Sequence, residues 1–442
     1  MKKSSNTKIE SVIERRNFLK GSGLMALTVT NPLVPWAFQA LMNSSVAQAE
    51  SSENAFVFIF LRGGADGLSI LPPAPGHIER GAYEAARPNI KLNSADISLL
   101  GNTGFALNNA CPSLLRLYED QRASFYQGVG NKSSDSRSHF IQQDYVEHGG
   151  VGFQNDGFLN RILSYSSPSQ VALAGSSASA AVSKALLGNR ANPNNLIVPV
   201  QNLNSNNSSE VSISNGILSR FANLFFVGMG LGERLTATWN QAPGSLGEKG
   251  VQASQILTQT MENVRDLRLG EYGRLTQFKT AAQLLIGCPS LRFLTIDVDG
   301  WDTHNAMGPR QGGYFYNLLS SFDLALGAFL KDLEGKRDNV RVVIVSEFGR
   351  PLQENGTLGL DHGRGGLAIS IGPKGEGGRV YSQGWSLKPE KLADGRDVAV
   401  TIDHRELLGN VLIKTDPSIQ NKLSAIFPKA RNETTDLNFK LG

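Results

Sequence analysis

The feature that most restricts the fold is Phe56-Val-Phe-Ile-Phe-Leu61, an apolar run with no polar alternation, stopped by Gly63-Gly64. A strand wetted on one face alternates apolar with polar residues. A run that is apolar throughout is buried on both faces, as in a parallel sheet covered by helices. Similar runs occupy Ala123 to Val129, Leu291 to Val298, Val340 to Val345 and, more weakly, Leu367 to Ile371. Between two of them, Tyr314 to Leu333 repeats Phe315, Leu318, Leu319, Phe322, Leu326, Phe329, Leu330 and Leu333 at a helical period. Strand, helix, strand makes a βαβ unit. The expected fold class is therefore α/β, a doubly wound, mainly parallel sheet.

Residues 164 to 216 break this pattern, being rich in Ser, Asn and Ala, and Ile217 to Leu285 then becomes largely helical with a break at Pro243-Gly244. We read 164 to 285 as an insertion into an α/β domain spanning 50 to 442. Asp403 to Ile413 reads as one more helix, and the chain from Lys429 onward is polar.

The first 49 residues form a separate unit. Arg15-Arg16 with Phe18-Leu19-Lys20 precedes a modest apolar stretch from Gly23 to Leu41 and a small-x-small site at Ala47-Gln48-Ala49. That order of basic, apolar and cleavage regions resembles a twin-arginine (Tat) signal, and Pro32 and Pro35 count against a simple amphipathic helix. Export to the periplasm or beyond through the Tat translocase is expected, with no stable membrane span after signal removal. These residues carry six of the 43 basic and two of the 39 acidic side chains, so the rest of the chain is charge-balanced. Charge balance removes the case for nucleic acid as a partner. Cys111 and Cys288 can form one disulfide or remain as two buried thiols.

In open parallel sheets the loops leaving the strand ends share one edge, and ligands bind there. The first strand ends in Arg62-Gly-Gly-Ala-Asp66-Gly67, another in Asp297-Val-Asp-Gly-Trp-Asp302-Thr-His304, and another in Ser346-Glu347-Phe348-Gly349-Arg350, followed by a Gly-rich loop with Asp361-His362-Gly363. Acids and imidazoles delivered together suit a divalent metal, zinc, manganese or iron, as one or two ions. The candidate metal ligands are Asp66, Asp302, His304, Glu347, Asp361 and His362. The plain alternative for any one Asp-Gly or Asp-x-His is a hydrogen-bonded turn. His77, His148 and His404 lack such neighbours and read as solvated or structural.

The strand ending at Gly128-Val129-Gly130 leads through Asn131-Lys-Ser-Ser-Asp-Ser136-Arg137-Ser138-His139 into an expected helix start. Ser138, His139 and Arg137 are candidate catalytic residues, with Arg62 and Arg350 as candidate substrate-binding cations for a small anionic ester. Ser136 or Ser138 serves equally well as a helix cap. Cys111-Pro112-Ser113 lacks the Cys-x-Pro-x-Arg spacing of a sulfatase signature, and Gly63 to Gly67 lacks the G-x-G-x-x-G spacing of a dinucleotide fold.

Taken in order, F-L-R-G-G-A-D-G-L (60 to 68), S-R-S-H-F (136 to 140), D-G-F-L-N-R (156 to 161), G-W-D-T-H (300 to 304), S-E-F-G-R (346 to 350) and L-D-H-G-R-G (360 to 365) resemble the bacterial domain-of-unknown-function 1501 family. That family is grouped with the alkaline phosphatase/sulfatase superfamily. The resemblance implies an alkaline phosphatase-type sheet and a two-metal site catalysing phosphoryl or sulfuryl transfer from phosphate or sulfate esters, with a Ser, Thr or formylglycine nucleophile. By the same resemblance Asp66 matches the first-strand metal Asp, Asp302 and His304 the Asp/His pair at shortened spacing, and His362 the late metal His. Glu347-Phe348 departs from the superfamily's Asp-His or Asp-Asn pair, which puts a second metal in question unless Asp361 substitutes. The rival expectation is a non-catalytic periplasmic or surface binding protein that retains the fold with a degenerate site.

Overall fold

The computed structural model describes residues 54–150 and 262–429 without interruption, together with 156–165, 172–178, 183–188, 195–200, 202–203, 211–212, 256–257, 259–260 and 437–439. The expected signal at 1 to 49 lies outside the described residues. Among those described, no helix is long and apolar enough to cross a membrane.

Nine strands build the central sheet: β1 (Ala55–Leu61), β2 (Ala123–Gly130), β3 (Ala172–Ser177), β4 (Asn195–Pro199), β5 (Phe293–Val298), β6 (Val340–Val345), β7 (Gly366–Ile371), β8 (Arg379–Tyr381) and β9 (Ile402–Asp403). Their order is β8-β2-β7-β6-β1-β5-β3-β4, with β9 also pairing β2. All pairings are parallel except the two made by β7, which runs against both β6 and β2. The fold is α/β with a mixed, mostly parallel sheet.

Strand β1 shows why. Its side chains alternate between two cores, Ala55, Val57, Ile59 and Leu61 to one face and Phe56, Phe58 and Phe60 to the other, and every residue is buried. Helices cover both faces. On the first lie α1 (Pro112–Glu119) and, later in the chain, a helix at Gln277–Gly287 and one at Tyr314–Leu333; on the second lie His139–His148 and His404–Thr415. In chain order we number these α1, α2 (His139–His148), α3 (Gln277–Gly287), α4 (Tyr314–Leu333) and α5 (His404–Thr415). Helix α4 buries the set its period predicts, including Phe315, Phe322, Phe329 and Leu333. Helix α5 begins with a capping box in which Asp403 accepts from the Arg405 N–H and Glu406 accepts from the Asp403 N–H.

One expectation changes, and one open alternative is decided. The segment read as an insertion supplies β3 and β4, which extend the main sheet beyond β5; Ala-Leu-Ala-Gly-Ser-Ser is buried but small and partly polar, so it lacks the apolar run that betrays its neighbours. Its residues 213 to 255 lie outside the described residues. Cys111 and Cys288 are both free and buried, and burial pushes both thiols up.

Phe322 packs against Trp301 and Phe278 at ring separations of 6.0 Å, beneath the loop that leaves β5. Phe322→Ala should cost about 3–5 kcal/mol in urea unfolding, with the loss read as a lower midpoint at unchanged slope.

Candidate metal centre

Loops from five elements meet at the edge where the parallel strands end. Leu61 lies opposite Val298 and Phe60 opposite Val345, so the segments after β1, β5 and β6 leave together. Strand β7 is reversed, which brings its leading loop to the same edge: Gly366 lies opposite Val129 near the end of β2.

Each loop is fixed locally. Trp301 is fully buried between Phe315 and Phe322 and anchors the turn carrying Asp302 and His304. The loops after β6 and before β7 are zipped together by Gly349 N–H to Arg364 O and Gly363 N–H to Gly349 O, each 2.9 Å. This holds His362 beside Glu347. Gly63 and Gly64 adopt φ of +117° and +68°, where side chains are strained, and a Cβ on Gly64 would strike the Phe348 ring.

That conformation turns two successive backbone N–H groups inward onto the Glu347 carboxylate, at 2.9 Å from Gly63 and 3.1 Å from Gly64. The Ser346 hydroxyl and the Gln143 amide add further donors, each at 2.9 Å. Burial opposes the charge on Glu347, but hydrogen bonds from His139, Gln143 and Gly64 outweigh it and hold the carboxyl down at about 2.

The ionised Glu347 then sets the proton on His139. Nδ1 of His139 lies 2.7 Å from Glu347 Oε1, and a carboxylate only accepts, so Nδ1 carries hydrogen. By the same logic His362 donates through Nδ1 to the Arg137 carbonyl at 2.8 Å. Nδ1 of His304 faces the Asp361 carboxylate at 3.4 Å. In all three rings Nε2 is left for the interior of the cluster. Nε2 of His362 lies 2.9 Å from Nε2 of His139 and 3.0 Å from Nε2 of His304. Asp302 joins them, with Oδ1 3.0 Å from His304 Nε2 and 3.3 Å from His362 Nε2, and Oδ2 3.5 Å from His139 Nε2.

Two ligand atoms 2.0–2.1 Å from one tetrahedral ion lie roughly 3.3 Å apart. The spacings among His139, Asp302 and His362 bracket that value, and their ligand atoms all fall within 4.8 Å of one another; His304 touches Asp302 and His362 but stands outside that group of three. As bare neutral side chains, the imidazoles would turn lone pairs toward each other. The residues present therefore fit a divalent ion, with Glu347, the Arg137 carbonyl and Asp361 orienting the rings from behind, as outer partners do in metal sites. The hydrogen bond to Glu347 raises the His139 imidazole. Burial lowers that of His362, and the Arg350 guanidinium overcomes burial to keep Asp302 low.

The other expected site residues are placed differently. Asp66 is buried and committed to Arg87, at 2.6 and 3.0 Å, and to the N–H of Ser69 at 2.9 Å, so its carboxylate is held away from metal ligation. Glu347 and Asp361 stand behind His139 and His304 rather than among the ligand atoms. Arg350 is buried, donating to Gly64 O at 2.6 Å, Leu360 O at 2.9 Å and Asp302 Oδ1 at 2.7 Å; it ties loops together where a substrate contact was expected. Arg62 bridges Glu147 and Asp297 at 3.0 and 2.9 Å. The Arg137 guanidinium pairs with Asp394 and Asp397, while its backbone carbonyl serves His362. Ser138 is the N-cap residue of α2 but makes no side-chain cap bond.

His139, a candidate catalytic residue in the sequence, stands within the cluster beside Asp302 and His362, and Gln143, which is not among the sequence's candidates, bonds Glu347 behind it. The signal for Gln143 was its place one helical turn after His139, on the same face of α2. Phe348, which cannot ligate, stacks its ring 4.8 and 4.9 Å from the His139 and His362 rings and walls the cluster on the inside.

Comparison with known proteins adds the following. Residues 276–415 match the family model described as Protein of unknown function (DUF1501). The DUF1501 match contains Asp302, His304, Glu347, Asp361 and His362 and leaves His139 outside. Among solved structures, similarity is found to a protein in the alkaline phosphatase superfamily from Vibrio parahaemolyticus, at 11% identity and TM-score 0.33, covering 83% of this chain and 67% of that one. Ps i-CgsB is similar at 9% identity and TM-score 0.31, with 85% and 72% covered. No curated protein matches the sequence.

The Asp66 placement is testable through its partner. Arg87→Met strands a buried carboxylate and should cost about 3–5 kcal/mol in chemical unfolding; a loss under about 1 kcal/mol would contradict the pairing.

Proposed function

We propose that this protein is an exported metal-dependent hydrolase of phosphate or sulfate esters, with His139, Asp302 and His362 holding the ion and His304 beside them. The observation that supports this reading is the common orientation of the three imidazoles: His139 and His362 are bonded through Nδ1 to an acceptor behind them, Nδ1 of His304 faces Asp361, and Nε2 of each is turned to Asp302. When bound, a divalent ion supplies Lewis-acid polarisation of an ester oxygen and a water of lowered pKa.

The chain's own residues do the positioning. Glu347 holds the His139 ring and its tautomer, and Arg350 holds Asp302. The solvent side stays accessible, since the Asp302 side chain is 45% and that of His304 39% exposed. Tat-dependent export is the part of the proposal carried by Arg15-Arg16 and the Ala47-Gln48-Ala49 site.

A second reading, a non-catalytic binding protein with a retained metal centre, draws on one specific observation. Arg62, Arg137 and Arg350, the cations expected to hold an anionic ester, are each already paired with carboxylates.

Aryl phosphate and aryl sulfate assays with zinc, manganese and iron, run beside metal analysis, separate the readings. Turnover that His362→Ala abolishes together with metal retention supports the hydrolase; metal without turnover on either ester supports the binding protein; no metal overturns both. Glu347→Gln keeps the shape but removes the charge behind His139, and should weaken metal affinity about 10–100-fold by competition with a chelator.

A further inference from the structure

We infer that the centre takes a single divalent ion of the imidazole-preferring class, and that the place of a second cation is filled permanently by the guanidinium of Arg350. The inference rests on the metal-centre reading above and narrows it, from one or two ions of zinc, manganese or iron to one ion of the zinc type.

A two-ion site needs a carboxylate shared between the ions and two or three further ligands for the second. Asp302 is the carboxylate in a position to be shared, and the partner already on it is a cation. Nη2 of Arg350 sits 2.7 Å from Asp302 Oδ1, the same oxygen that faces His304 and His362. That guanidinium is not free to swing aside. Its side chain is fully buried, and its nitrogens donate to the carbonyls of Gly63, Gly64, Trp301 and Leu360, from three of the loops that form the site. A second ion beyond Asp302 would have to displace a charge that knits the loops together.

The other acids are unavailable as ligands. Both Glu347 oxygens are filled, Oε1 by His139, Gln143 and Gly63 and Oε2 by Gly64 and Ser346. Asp66 is spent on Arg87, and Asp361 accepts from Asn355 and faces the outer nitrogen of His304 at 3.4 Å. Phe348 closes the side between His139 and His362 with a ring that offers no donor. Among the described residues, one group of His, Cys, Asp and Glu has metal-ligand spacing, that of His139, Asp302 and His362.

The donor set also selects the ion. Two imidazole nitrogens and one carboxylate at ligand spacing, with a third imidazole beside them, suit zinc and its neighbours cobalt, nickel and iron, whereas calcium, magnesium and manganese favour oxygen ligands. Arg350 supplies the positive charge that a second ion would have contributed beside Asp302, without a coordination sphere of its own.

Cobalt(II) titration of the metal-stripped full chain, followed by visible absorption, counts the sites directly. The expected curve breaks at one equivalent per chain, equimolar zinc bleaches it, and millimolar calcium or magnesium leaves it unchanged. His139→Ala and His362→Ala should each weaken the same single equivalent at least tenfold, because one ion draws on both. A second break at two equivalents, or a variant that loses one equivalent and retains another at undiminished affinity, overturns the single-ion inference while leaving the metal centre standing. Displacement by millimolar calcium overturns the assigned class. Absence of any cobalt binding overturns the metal-centre reading itself.

Discussion

The carboxylate of Glu347 is the constraint on which the site depends. It is buried and ionised at the end of a central strand, and a buried charge without partners costs several kcal/mol. Its partners come from three elements: the Gly63-Gly64 turn after β1, Gln143 and His139 on α2, and the neighbouring Ser346 hydroxyl. Satisfying one charge thus docks a helix start and a neighbouring strand end against the β6 loop. The two glycines are required by that arrangement, since only their positive φ turns both N–H groups to the same carboxylate.

Arg350 is the counterpart on the cationic side. Glu347 gathers N–H donors and orients an imidazole; Arg350 gathers carbonyls and orients a carboxylate, Asp302. The two lie three residues apart on one loop, with Phe348 between them packed on two of the imidazoles. The motif Ser-Glu-Phe-Gly-Arg is therefore a scaffold for a cluster of imidazoles and a carboxylate that other loops carry. Its phenylalanine, which looks like a lost ligand beside an expectation of two metals, is the apolar wall of the cluster.

The parts legible in the sequence were those written in short-range patterns. Continuous apolar runs identified β1, β2, β5, β6 and β7, and the period of eight apolar residues identified α4 to its end residues. The convergence of Asp302, His304 and His362 followed from strand ends sharing an edge. The illegible parts depended on distant partners. Asp66 reads like a strand-end ligand because nothing nearby shows that Arg87 will claim it. Nothing local shows that Arg137 will act through its carbonyl. The reversal of β7 was invisible for the same reason, since strand direction is decided by the neighbours a strand finds; β3 escaped notice because its small side chains carry little apolar signal.

The strand order has a consequence for how the molecule comes into being. The first-made strand, β1, sits between β5 and β6, whose residues are more than two hundred positions later in the chain. A ribosome delivers this most apolar segment long before either neighbour exists, so it must be shielded, by chaperones or by transient collapse, until synthesis is nearly finished. Such long-range closure is intrinsically slow. The interval between translation and a finished sheet is where this chain is most exposed to aggregation, and a protein that leaves the cell interior already folded would have to complete that wait before departure.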